Sequence, residues 1–173
     1  AERYFFELSD ILRKHGHEVI PFAMKHPQNE PSEYEPYFAD YIEYEGKSTV
    51  RKIASSLSVL GRMIFFRQAQ KSIEQLILDT KPDIAHLHMI EHQLSPSILV
   101  TLKKYNIPVI QTVHQYKLVC PNYRLYNMRT SQICEKCVNS HCLHPVFERC
   151  HMDSALAGVM IGLESQIHRW MKI

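Results

Sequence analysis

The chain has 173 residues, enough for one ordinary domain with a real hydrophobic core. Apolar residues make up 45% and charged residues 22%, values of a globular protein far from disorder. The 20 Lys and Arg against 18 Asp and Glu leave a formal charge of +2, too balanced to point to nucleic acid, and charges interrupt every apolar stretch well short of the ~18 residues that span a membrane.

The sequence opens on Ala1 rather than Met, and no signal peptide precedes the first amphipathic segment. Tyr4, Phe5, Leu8, Ile11 and Leu12 recur at helical spacing, and Gly16 stands where a left-handed C-terminal cap belongs. His17 to Ala23, with Val19, Ile20 and Phe22, predicts a short buried strand. From His26 to Glu45 the chain is rich in Pro, Glu and Tyr and reads as loop, with one short strand near Tyr41 and Ile42. Thr49 to about Leu78 predicts helix in two pieces broken near Gly61, the second burying Phe66, Ala69, Ile73, Leu76 and Ile77 and ending at Lys81-Pro82.

Asp83 to His88 follows as a strand. Ser95-Pro96 offers an N-cap and a first-turn proline for a helix facing inward through Ile98, Leu99, Leu102 and Tyr105, with Asn106 as its C-terminal cap. Pro108 to Val113 is the next strand, apolar enough to be committed to the core, and it exits at His114. The right-handed crossover rule makes this strand and the preceding one parallel. Tyr116 to Met152 shows no long period and predicts a structured loop insertion. A last helix starts at Asp153-Ser154, with Leu156, Val159, Met160, Leu163, Ile167 and Trp170 as its expected buried stripe, and Trp170 to Ile173 stops in mid-period. Both ends of the chain are expected to be cuts in a longer protein.

In a parallel sheet, ligands sit beyond the carboxyl ends of the strands. Two strands here end in groups with useful chemistry: His88, followed by Glu91 and His92, and His114, followed by Gln115 and Tyr116. Imidazoles that terminate neighbouring strands face one crevice, where they hydrogen-bond a sugar or phosphate or move a proton near neutral pH. His86, inside its strand, reads as a satisfied polar group. The expected catalytic residue is His114, at a strand exit directly before a long loop.

All five cysteines lie between Cys120 and Cys150. Cys134-x2-Cys137-x4-Cys142-x7-Cys150 begins with a metal-knuckle spacing, and four thiolates would complete a tetrahedral structural zinc site. The alternatives are His141, His144 and His151 as rival ligands, or plain free thiols. An odd count without a secretion signal favours reduced cysteines and the cytoplasm. Lys117, Arg124, Arg129, Lys136 and Arg149 interleave with Tyr116, Tyr123 and Tyr126; such a run binds a phosphate-bearing group or, more commonly, is a solvated loop face. No glycine-rich phosphate loop occurs.

Several of these stretches together resemble one family. Ala1 to Leu8 is similar to the helix after the glycine-rich first loop of the glycosyl transferase 4-like N-terminal domain of retaining, GT-B-fold glycosyltransferases. Pro82 to His88 and His92 to Leu99 resemble that domain's next strand and helix. Ile107 to Asn122 resembles its His-Asp-Tyr…Cys-Pro element in a cysteine-rich branch, with Gln115 where Asp is usual.

The resemblance implies an α/β, three-layer Rossmann-like fold with a mostly parallel sheet. Residues 1–173 would be part of the acceptor-side domain, with the cysteine-rich insertion at about 116–152. The central first strand, between the Val19-Ile20 and Asp83–His88 segments, would be missing, and so would the C-terminal donor domain. It implies transfer of a hexose from a nucleotide-sugar, held by the other domain, to a saccharide or lipid-linked acceptor in polysaccharide assembly. His114 would lie beside the transferred sugar, and Glu91, His92, Gln115, Tyr116 and Asn122 would bind substrate. No cofactor is expected for the chemistry in this domain and no nucleic acid as partner; the location would be cytoplasmic, in peripheral contact with the inner membrane face. The chain alone would be an inactive fragment. The alternatives are a non-catalytic zinc-knuckle interaction module on an α/β scaffold and, third, a basic RNA-binding domain.

Overall fold

In the computed structural model, which describes residues 2–41, 60–91 and 93–171, the first apolar period forms helix α1 (Glu2–Lys14). It ends in a Schellman turn: the Gly16 amide donates to the Arg13 carbonyl at 3.0 Å and the His17 amide to Leu12 at 3.1 Å. Gly16 supplies the positive φ of 84° that this turn requires. Two units make up the chain, Ala1–His114 and Gln115–Ile173.

In the first unit, residues 17–23 form no regular secondary structure. The strand expected there does not form, because a lone strand has no ladder to satisfy its amides. One parallel bridge between Met24 and Ala39 is what pairs in this region, and a 3-10 turn spans Glu35–Tyr37. The strand expected near Tyr41-Ile42 falls mostly outside the described residues, as does the start of the helix expected from Thr49.

Residues 60–64 are helical, and after a break at 65–66 helix α2 (Arg67–Thr80) begins. Two buried serines repair the break. The Ser95 hydroxyl donates to the Ile64 carbonyl at 3.1 Å, and the Phe66 amide donates to Ser97 Oγ at 3.0 Å. Ser95 was expected as an N-cap; it takes φ 62° instead, and α3 (Ile98–Lys104) starts two residues after Pro96. The Phe66, Ala69, Ile73, Leu76 and Ile77 stripe is buried as its period dictates, and all of it but Leu76 packs with Ile98, Leu102, Leu87, Ile90 and Ala39 into one core. Asn106, at φ 56°, closes α3 with a second Schellman turn.

Strands β1 (Ala85–His88) and β2 (Val109–Thr112) pair in parallel, with Ala85 opposite Val109 and His88 opposite Thr112. This is the arrangement the crossover rule demands. One expectation fails here. Val109, Ile110 and Val113 are exposed rather than core residues, because the described core packs on β1 through Leu87 and leaves β2 at an edge.

The second unit holds a small hairpin, β3 (Tyr126–Asn127) with β4 (Gln132–Ile133), then α4 (His144–Glu148) and α5 (Ala155–Met171). Its buried apolar side chains among the described residues are Cys120, Cys137, Cys142, Cys150 and Ile161, with Pro121 and Pro145. The expected stripe on α5 is met only in part, with Val159, Met160 and Ile167 half-buried. Gly158, Ile161, Gly162, Ser165 and His168 face inward, while Leu156, Leu163 and Trp170 are exposed. A β-carbon on Gly158 would sit 2.4 Å from the Pro145 carbonyl oxygen, and one on Gly162 2.5 Å from that of Cys142. Backbone packs on backbone there, and only glycine permits it.

Candidate functional site

Alternation along the pleat puts His86 and His88 on one face of β1 and Leu87 on the other, where Leu87 enters the core. Thr112 and His114 fall on the same face of the β2 side. The strands therefore converge three imidazoles at their carboxyl ends. His86 Nε2 lies 2.7 Å from Thr112 Oγ1, and His88 Nδ1 lies 3.1 Å from His114 Nε2. The His86 and His88 ring centroids are 4.4 Å apart, and those of His88 and His114 5.4 Å.

Helix α1 brings two aromatic rings to this group. Tyr4 stands 5.6 Å from His88 and 5.5 Å, edge-on, from His114, and Phe5 stands 5.9 Å from His88. Burial among these rings, followed by the charges that His86 and His114 carry when protonated, lowers the pKa of His88 below the ordinary imidazole value. The site thus offers orientable hydrogen-bonding nitrogens around a half-buried His88 that resists protonation, an arrangement suited to polar substrate groups.

The other expected site residues lie elsewhere. Glu91 is half-buried in the loop three residues beyond β1, and His92 lies outside the described residues. Gln115, Tyr116 and Asn122 belong to the second unit. Tyr116 is exposed and its amide donates to the Tyr123 carbonyl. Asn122 is only 2% exposed, and its amide is spent inside its own unit: Nδ2 donates to the Cys150 carbonyl at 2.8 Å, while Oδ1 is 2.9 Å from His151 Nδ1. These bonds tie the loop together. Tyr4 and Phe5 were legible only as a helix face, and no local signal tied them to the histidines.

Lys117 corrects the reading of the basic run. Instead of lying on a solvated face, it is buried, with Nζ 2.8 Å from Glu164 Oε2 and donating to the Pro121 carbonyl at 3.2 Å. Arg124 stacks over Tyr123, and Lys136 pairs with Glu148, as surface residues do.

Cys134, Cys137, Cys142 and Cys150 are free thiols, and Cys120 lies among them. Burial first, and then the neighbouring thiols, push Cys137 up to about 12 and Cys150 to about 11, so both are neutral as they stand. Among the described residues, no three His, Cys, Asp or Glu are arranged to hold a metal ion. Nor is any described helix long and apolar enough to cross a membrane.

Comparison with known proteins bears on what these histidines serve. Over 126 residues the chain is 29% identical to an "Uncharacterized 42.6 kDa protein in cps region" of Klebsiella pneumoniae, covering 69% of this chain and 33% of that protein. The chain therefore spans about a third of the length of this relative. No solved structure matches it significantly. The model of the family described as Glycosyltransferase Family 4 matches residues 1–138, which take in α1, the parallel strand pair and His114. By that match, which covers well over half of the sequence, the chain belongs to Glycosyltransferase Family 4.

Proposed function

We propose that this chain is the acceptor-side part of a retaining, GT-B-type glycosyltransferase that moves a hexose from a nucleotide-sugar to a saccharide or lipid-linked acceptor in surface-polysaccharide assembly. The observation that carries the reading is the strand-end imidazole group of His88 and His114, within the stretch that the family model matches. The relative from a cps region supports the polysaccharide assignment. The three-layer arrangement belongs to the same reading: α1 rings meet one face of the β1–β2 pair, and Leu87 enters the α2–α3 core from the other. The nucleotide-sugar is held by a second domain elsewhere in the protein, in the cytoplasm at the inner membrane face.

In this reading His114 hydrogen-bonds the transferred sugar and holds it against the acceptor as the glycosidic bond breaks, a contact worth most in the transition state. Glu91 and His92, which follow His88 in the chain, and Gln115 and Tyr116, which follow His114, contact the substrates. The test is turnover by the whole enzyme with a panel of nucleotide-sugars, read as nucleoside diphosphate release. His114→Ala lowers turnover by about a hundredfold or more, the scale of one positioned catalytic group. The thermal midpoint stays within a few degrees, since an exposed strand-end side chain contributes little stability. Near wild-type turnover in the variant, or activity lost only through unfolding, overturns the assignment.

A further inference from the structure

The contact between His88 and His114 has chemical content beyond proximity. Two imidazole nitrogens 3.1 Å apart are at hydrogen-bond distance, and such a contact is attractive only if one nitrogen carries a proton and the other offers its lone pair. The facing atoms are defined, Nδ1 of His88 and Nε2 of His114. A neutral imidazole has one N–H and one acceptor nitrogen, so fixing the role of Nε2 in His114 fixes the role of its Nδ1 as well. Whatever His114 presents to a substrate through Nδ1 is then decided by the ring behind it.

His88 is built for that task. It is half-buried on β1, in register with Thr112 across the parallel ladder, so its Cα is fixed by the sheet rather than by a loop. Its ring is enclosed by Tyr4, Phe5 and His86, with centroid separations of 5.6, 5.9 and 4.4 Å. His114 is exposed and lies past the end of β2, so its own backbone holds it less tightly. His86 is engaged with Thr112 Oγ1, so it does not compete for the facing nitrogen of His114.

We propose that His88 is a positioning residue which, through the Nδ1–Nε2 hydrogen bond, fixes the tautomer and ring orientation of His114 for sugar transfer. The transfer part of this statement rests on the function proposed above; the hydrogen bond does not.

Two experiments on the whole enzyme separate these parts. With 15N-labelled histidine at pH 8, the wild type shows a 15N–15N coupling across the hydrogen bond and a single His114 tautomer. His88→Phe keeps a ring of similar size without nitrogens, so the coupling vanishes and His114 averages between tautomers. His88→Asn places an amide atom where Nδ1 stood and restores one tautomer. In the transfer assay His88→Phe lowers kcat by about tenfold or more with KM little changed, and His88→Asn recovers most of it, the scale expected when a group that orients a working imidazole is lost. Absence of the coupling in the wild type, or a single unchanged His114 tautomer in His88→Phe, overturns the proposal without any variant having to be active. A coupling present in an enzyme that transfers no sugar refutes the function and leaves the histidine pair standing. Equal kcat in wild type and His88→Phe, with the coupling present in the former, refutes the positioning role.

Discussion

An imidazole free in solution is half protonated near pH 6.5, but His88 resists protonation because its ring is sheltered by aromatic neighbours and faces two further imidazoles. The sign of the stability effect follows. Above about pH 6.5 His88 is neutral in both folded and unfolded chains and contributes no pH dependence. Below it the unfolded chain takes the proton at the ordinary value while the folded chain refuses it, so stability falls until the pH reaches the lowered value of the folded state. Among the described residues, the titratable side chains in ring contact with His88 are His86 on its own strand, His114 on the β2 side and Tyr4 on α1. The thermal midpoint should therefore drop between pH 7.5 and pH 5, and His88→Asn should flatten part of that slope; equal slopes in wild type and variant would show that His88 does not carry the effect. The histidines themselves were legible in the sequence, since a strand pattern ending in His announces a crevice. Their pairing was not, because which imidazole nitrogen meets which depends on the register of two strands and on rings contributed by α1, some eighty residues earlier.

Helices α2 and α5 show what amphipathic periodicity can and cannot reveal. On α2 the burial of apolar area decides, so Ala69, Ile73, Leu76 and Ile77 go inward as the pattern says. On α5 close approach decides. The Pro145 and Cys142 carbonyls come so near the helix axis that Gly158 and Gly162, four residues apart, must face them, and Leu156, Leu163 and Trp170 turn outward. The Gly-x3-Gly spacing was present in the sequence, but hydrophobicity ranks glycine as neutral and so selects the other face. Lys117 was misread for a similar reason: its partner Glu164, on α5, lies 47 residues away and nothing local marks the pair. The contrast gives a test with opposite signs. Gly61, in the helical residues 60–64, has nothing within 4 Å of an added β-carbon, so Gly61→Ala should stabilise by about 0.5–1 kcal/mol through helix propensity. Gly158→Ala gains the same propensity but must displace the backbone of α4, and should destabilise by about 1–3 kcal/mol net. Denaturant midpoints of the two variants measure both; a stable Gly158→Ala would mean that α4 and α5 do not approach as closely as described.

At the scale of the whole chain, the two units are built differently, and each carries a test. The first has an aliphatic core in which α2, α3 and β1 agree, and that much was readable from period and capping. The second has a core made largely of cysteines, a composition that small units elsewhere supplement with a metal or cross-links. If Cys134, Cys137, Cys142 and Cys150 bind zinc as their spacing suggests, the ion must draw the thiols into a tetrahedron and remove their protons. The reduced protein should then carry about one equivalent and lose structure on chelation. Metal analysis showing none, with every thiol titrating after unfolding, would leave the cysteines as packing groups. The second test concerns the division of labour. Sugar transfer requires donor and acceptor held together, with charge stabilised on the departing diphosphate. The strand ends of the first unit present imidazoles and aromatic rings, and the one buried lysine described, Lys117 in the second unit, is already committed to Glu164. Neither arrangement suits a diphosphate, which calls for a glycine-rich loop or convergent unpaired cations. Calorimetric titration of this chain with common nucleotide-sugars should therefore show no binding, while the whole enzyme binds its donor in the micromolar to millimolar range typical of substrates. A donor bound by this chain as tightly as by the whole enzyme would place the nucleotide-sugar on the side assigned here to the acceptor, and the roles of the two halves would have to be exchanged.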